Sequence, residues 1–220
     1  KKVRSENQAL QEQVAELTLE KNALLQERYE LEELKSLYQL DKDYSSLNKI
    51  AANVIGKDSG NWFHMFIIDK GTDDGIQVDM NVIAGGGLVG IVTKVGPDWA
   101  QVRSIIDDMS NVSAMILKNS DLCYVRGDLQ MITEGTLQLN QLRDEDDVVV
   151  QGDKVVTSYA SAKYHEGILI GYVNELSTHA NNLTKSGSLT PAEDFEHLST
   201  VLVTTDLKQQ VNTDDLNSAE

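Results

Sequence analysis

One cysteine, Cys123, in 220 residues leaves no partner for an internal disulfide, so cysteine usage assigns no redox compartment. Long apolar runs are missing too: nothing approaches the roughly 20 residues of a membrane-spanning helix. Basic residues are scarce, 19 Lys and Arg against 35 Asp and Glu, for a net charge of −16. That balance makes nucleic acid and anionic lipid poor partners, because both are held by cationic side chains that neutralise phosphate. What is present is an apolar fraction of 40%, enough for a real core in one or two domains.

Glycine and proline are also absent from residues 1–40, where Leu, Glu, Gln, Lys and Ala dominate. Leucine recurs there every seven residues, at Leu10, Leu17, Leu24 and Leu31, with Val3 before and Tyr38 after in the same phase. These are the d positions of a heptad. The a positions are Asn7, Val14, Lys21, Arg28 and Lys35, of which only Val14 is apolar. The pattern predicts a helix over 1–43, about 60 Å long over its first 40 residues, whose half-wet seam pairs with a second helix. Self-association is assigned to Leu10, Val14, Leu17, Leu24, Leu31 and Tyr38. A solvated stalk is the alternative. The chain starts inside this pattern with no initiating methionine or cap, and the expectation is that a segment precedes it.

From residue 47 onward the pattern is strand and turn. One phrase occurs twice, as Asn81-Val82-Ile83 followed by Gly87-Leu88-Val89-Gly90-Ile91-Val92, and as Lys154-Val155-Val156 followed by Gly167-Ile168-Leu169-Ile170-Gly171. The flanks repeat as well, Val102–Ile116 matching Ser188–Val203 as strand, turn, strand. A duplication with turn signals every ten or so residues predicts small antiparallel barrels rather than α/β layers. The predicted organisation is mainly β: helix 1–43, a first barrel over 47–142, a second over 143–207 to which a returning terminal strand need not belong, and a disordered tail over 208–220. The tail is rich in Gln, Asn and Asp.

The candidate chemistry is thin. A serine protease needs a nucleophile, a histidine base and an orienting aspartate. Where double-barrel proteases carry Gly-Asp-Ser-Gly, this chain has Gly152-Asp153-Lys154-Val155, with lysine in the nucleophile's place. His64, His165, His179 and His197 sit in no protease-like context, and Cys123 in Leu122-Cys123-Tyr124 reads as a small core residue. Asp144 to Asp147 and Asp73-Asp74 lack the ligand spacing of an EF-hand and read as a solvated loop and a turn. Gly85-Gly86-Gly87 is followed by no Lys-Ser/Thr, so it reads as a hairpin rather than a phosphate cradle. No residue is assigned to catalysis, cofactor or metal.

In order and spacing the chain resembles the MreC family of rod-shape-determining proteins. The resemblance is carried by Ala52-Asn53-Val54-Ile55, Ile67-Ile68-Asp69-Lys70-Gly71, Asp74-Gly75-Ile76, Met80-Asn81-Val82-Ile83, Gly87-Leu88-Val89-Gly90 and Val102 to Asp107. It continues through Gly152-Asp153-Lys154-Val155-Val156-Thr157-Ser158 and Pro191-Ala192-Glu193-Asp194-Phe195. One departure is Tyr159, where the family carries glycine. The resemblance implies a coiled-coil helix followed by a chymotrypsin-like double barrel without catalytic residues, anchored by a single membrane helix outside this sequence. It further implies a non-enzymatic scaffold at the extracytoplasmic face of the membrane, forming dimers or filaments through protein contacts. Its implied partners are a penicillin-binding transpeptidase, and MreB and MreD through the missing N-terminal region. The readings set against it are a double-barrel protease and a periplasmic coiled-coil adaptor. An adaptor inserts a helical hairpin between strands, whereas here one helix precedes them all.

Overall fold

The computed structural model describes residues 2–60, 62–144, 146–178 and 184–208. The first element is α1, Lys2–Asp43, an unbroken helix as its glycine-free, proline-free sequence requires. Its C-terminus is closed by Lys49. That ammonium donates to the carbonyls of Asp41 (3.2 Å), Tyr44 (2.5 Å) and Leu47 (2.9 Å) and pairs with the Asp41 carboxylate at 3.0 Å. This cation caps the Asp41 carbonyl at the helix end, opposes the negative end of the dipole and fastens the turn that carries the Tyr44 and Leu47 carbonyls.

Among the described residues twelve strands follow: β1 Lys49–Lys57, β2 Met65–Ile68, β3 Asn81–Ala84, β4 Gly87–Val95, β5 Ala100–Ser104, β6 Asn111–Ile116, β7 Leu122–Arg126, β8 Leu137–Leu142, β9 Lys154–Thr157, β10 Leu169–Thr178, β11 Lys185–Pro191 and β12 Thr200–Thr204. They close into two antiparallel barrels, ordered β1-β12-β3-β4-β5-β2 and β10-β11-β8-β7-β6-β9. The repeated phrase forms hairpin β3–β4 in one barrel and β9–β10 in the other.

The expected boundary at 142/143 is corrected by this topology. Strands β6, β7 and β8, which cover 111–142, belong to the second barrel, and the first is completed from the far end of the chain by β12. Taken as two six-strand repeats, β1–β6 and β7–β12, each repeat places its last strand in the other's barrel. Strand β6 lies between β7 and β9, and β12 lies in the equivalent place between β1 and β3. Alternation along a strand says which side chains face a core, but not which of two similar cores receives them. Residues 209–220 of the expected tail lie outside the described residues, while Lys208 donates to the Tyr159 carbonyl at 2.9 Å. Tyr159 itself has no positive φ, so this turn does not need the family's glycine.

Ladder closure leaves neither barrel an open sheet edge for strand addition among the described residues. The rod and both barrels meet at Gly85-Gly86-Gly87, the β3–β4 turn. A β-carbon at Gly85 would lie 2.3 Å from Ser36 Oγ of the rod, one at Gly86 2.1 Å from the Ala192 carbonyl oxygen, and one at Gly87 2.3 Å from that of Leu169. The Glu193 carboxylate accepts the Gly86 N–H at 2.5 Å, and the Tyr44 hydroxyl at the foot of the rod accepts the Leu169 N–H at 3.0 Å. Three parts of the molecule therefore meet at one turn, where Gly86 and Gly87 abut backbone atoms that leave no room for a side chain.

Candidate functional site

Every side chain assigned to the seam is exposed: Leu10, Val14, Leu17, Leu24, Leu31 and Tyr38. The rod docks on the first barrel through its other side, where Leu40 is buried, Leu37 and Tyr44 pack on the core, and Glu33 accepts a hydrogen bond from Ser199. Leu31 and Leu40 are nine residues apart, which at about 100° per residue places them on opposite faces. Docking is confined to the foot of the rod, from Glu33 onward, and the seam from Leu10 to Leu24 lies on a stretch exposed on all faces. Of the polar a residues, Arg28 is held on its own helix by Glu32 at 3.1 Å. Leu25 and Leu34 flank the seam at the e and g positions and are also exposed. The d-position count passed over them, although their phase beside Leu24 and Leu31 is a readable signal.

The residues weighed for chemistry do not assemble. His64 Nδ1 lies 3.2 Å from Asp107, as in a triad, but its Nε2 faces Asp58 at 4.0 Å, another carboxylate rather than a hydroxyl. His165 Nε2 lies 2.6 Å from the Asp206 carbonyl, and the exposed His197 lies 2.8 Å from Asp194; His179 is outside the described residues. Thr157 Oγ1 donates to the His165 carbonyl and accepts the Ile168 N–H at 2.8 Å, while Ser158 Oγ shares a 2.9 Å bond with Ser113. Both hydroxyls hold the 158–168 loop. Cys123 is buried in the second core, and that burial pushes its thiol up to about 12.

The acidic loop is solvated as expected at Asp146 and Asp147, but not at Asp144. Asp144 is buried and bonded to Lys185 at 2.7 Å, with its oxygens accepting the Val148 and Val149 N–H groups at 2.9 and 3.2 Å. Lys185 also pairs with Asp147. Burial alone would push the Asp144 carboxyl up, but the Lys185 ammonium and the two amides outweigh it and hold it below the usual carboxylate range. Asp144 and Asp147 tie the loop to β11, while Asp146 stays exposed. Asp73 and Asp74 form a turn closed by Gly75 in the left-handed region, with Asp74 accepting the Gly71 N–H at 3.1 Å. Among the described residues, Asp194, Glu196 and His197 place ligand atoms within 4.8 Å of one another, all exposed on one turn.

Comparison with known proteins follows the same division into rod and barrels. Residues 54–205 match the family model described as rod shape-determining protein MreC, barrel core. The cell shape-determining protein MreC of Listeria monocytogenes is 32% identical over 216 residues, which are 96% of this chain and 72% of that protein. Three other relatives of the same description are spanned over 61% of their length or less. The solved structure of MreC from Listeria monocytogenes superposes with a TM-score of 0.67 at 29% identity, covering 94% of this chain and all of that one. A Helicobacter pylori MreC, solved in complex with penicillin-binding protein PBP2, shares the fold at a TM-score of 0.55 and 14% identity over 72% of this chain.

Proposed function

The chain belongs to the MreC family of cell shape-determining proteins, and from that premise we propose that it is a non-enzymatic scaffold of the cell-elongation machinery at the extracytoplasmic face of the membrane. The observation that carries this reading is the exposed leucine seam on a rod whose foot, at Leu37 and Leu40, is packed on the first barrel. A seam of this kind pairs protomers, and the junction at Gly85–Gly87 makes the two barrels follow the rod as one body. Pairing therefore sets where both barrels stand relative to a second copy. Dimers, and filaments built from them, are the assembly this geometry serves.

The partner that fits is a penicillin-binding transpeptidase, by analogy with the Helicobacter pylori complex. Contact would be made by outward side chains of the barrels, since the closed ladders leave no strand edge to extend. A single membrane anchor, and the reach to MreB and MreD, belong to sequence preceding the rod. The absence of enzyme activity is supported by His64, whose ring nitrogens face two carboxylates, and by Thr157 and Ser158, whose hydroxyls are engaged in holding a loop.

Sedimentation velocity tests the seam. The wild-type chain is expected to run as a dimer at tens of micromolar, and the double variant Leu17→Asp, Leu24→Asp as a folded monomer. A monomeric wild type at that concentration sinks the reading.

A further inference from the structure

The outer face of the second barrel carries a concave polar surface across β6, β7 and β8. Along β7, Cys123 and Val125 point into the core while Tyr124 and Arg126 point out. The register lays Ser113, Tyr124 and Asn140 in one row across β6, β7 and β8, and Asn111, Arg126 and Gln138 in the next. Two concavities, of about 840 and 650 Å³, adjoin on this face with Tyr124 and Gln141 lining both, and together they make a shallow groove. One end is walled by Met109 and by Asn111 at the start of β6, the other by Asn119, Ser120 and Arg143. Ser120 and Gln141 have φ of 61° and 55°, a left-handed backbone in a wall and in the floor.

We propose that this groove binds an uncharged oligosaccharide, with Tyr124 as the platform and the amides of Asn111, Asn140 and Gln141 as hydroxyl partners. A primary amide presents two donors and an acceptor on one plane, which suits sugar hydroxyls that both donate and accept. A half-exposed tyrosine adds an apolar face with a polar tip, the match for a sugar ring whose C–H faces are apolar and whose rim is polar. Other ligand classes fit less well. Polyanions meet a chain of net charge −16 and a groove in which Asp108, Asp121 and Asp146 outnumber Arg126 and Arg143. Extended peptides find no open edge, because β7 and β8 are paired on both sides, and amphipathic helices find no apolar trough. This site does not depend on the seam.

The test is titration of the isotopically labelled full chain with cellohexaose and with the hexamer of N-acetylglucosamine, followed by amide chemical shifts. Shifts centred on Tyr124, Asn140 and Gln141 at sugar concentrations up to about 1 mM are expected with at least one hexamer. Tyr124→Ala should weaken that binding about tenfold, the scale of one aromatic contact, with an unchanged melting temperature. Tyr172→Ala, on the outward face of β10, should leave it unaltered. The proposal is overturned if neither sugar shifts the groove, if the two tyrosine variants lose binding equally, or if polyglutamate displaces the sugar as well as free sugar does.

Discussion

Glu193 shows how one side chain carries more than its sequence context announces. Burial, with the Asp194 carboxylate nearby, pushes its carboxyl above the ordinary glutamate value, and the Gly86 and Asp194 amides offset only part of this. A carboxyl whose folded-state value is raised holds its proton more tightly when folded. Its contribution to stability is therefore complete below the unfolded value near 4.5 and is lost as pH rises through the folded one. Glu193→Gln keeps an acceptor for the Gly86 N–H without titrating. Urea unfolding of both chains from pH 4 to pH 8 should show the variant gaining on the wild type as pH rises; a constant offset would refute the assignment. Within Pro191-Ala192-Glu193-Asp194-Phe195 the residue was readable only as part of a family pattern. Its physical role depends on a turn more than 100 residues earlier, which no local rule reaches.

Among the elements, the rod was the most legible, because helix propensity and a seven-residue repeat are local properties of consecutive residues. Its foot was not. Which of its apolar residues would be taken by the barrel, Leu37 and Leu40 rather than Leu31 and Tyr38, depends on the surface it meets. The β3–β4 hairpin was legible as a turn but not as a three-way junction. Gly87 needs glycine for its φ of 147°, whereas Gly86 needs it for space. Gly86→Ala should cost about 1–3 kcal/mol, as overpacking does, because its β-carbon meets backbone atoms rather than a flexible side-chain end. Thermal melting measures this directly, and an unchanged melting temperature would mean that the junction is looser than described.

At the scale of the whole molecule, reciprocal exchange of β6 and β12 ties the barrels together more firmly than surface contact would. Neither barrel can lose its borrowed strand without opening two ladders, so both should unfold as one unit. Two local probes test this. Trp62 and Trp99 report on the first barrel by fluorescence, and the buried Cys123 thiol reports on the second by its reactivity. Their urea transitions should coincide, and two separated midpoints would show that the barrels unfold independently. By itself the sequence determined the rod, the duplication, the count and kind of modules and the lack of a protease-like motif, all of which rest on periodicity, turn chemistry and the presence of particular residues. Only the tertiary structure decided which barrel each exchanged strand enters, which helix face stays free, that Asp144 is buried on Lys185, and that Tyr124 lies in a groove. These follow from pairings between residues far apart in the chain, and alternation along one strand is the same whichever neighbour it finally meets.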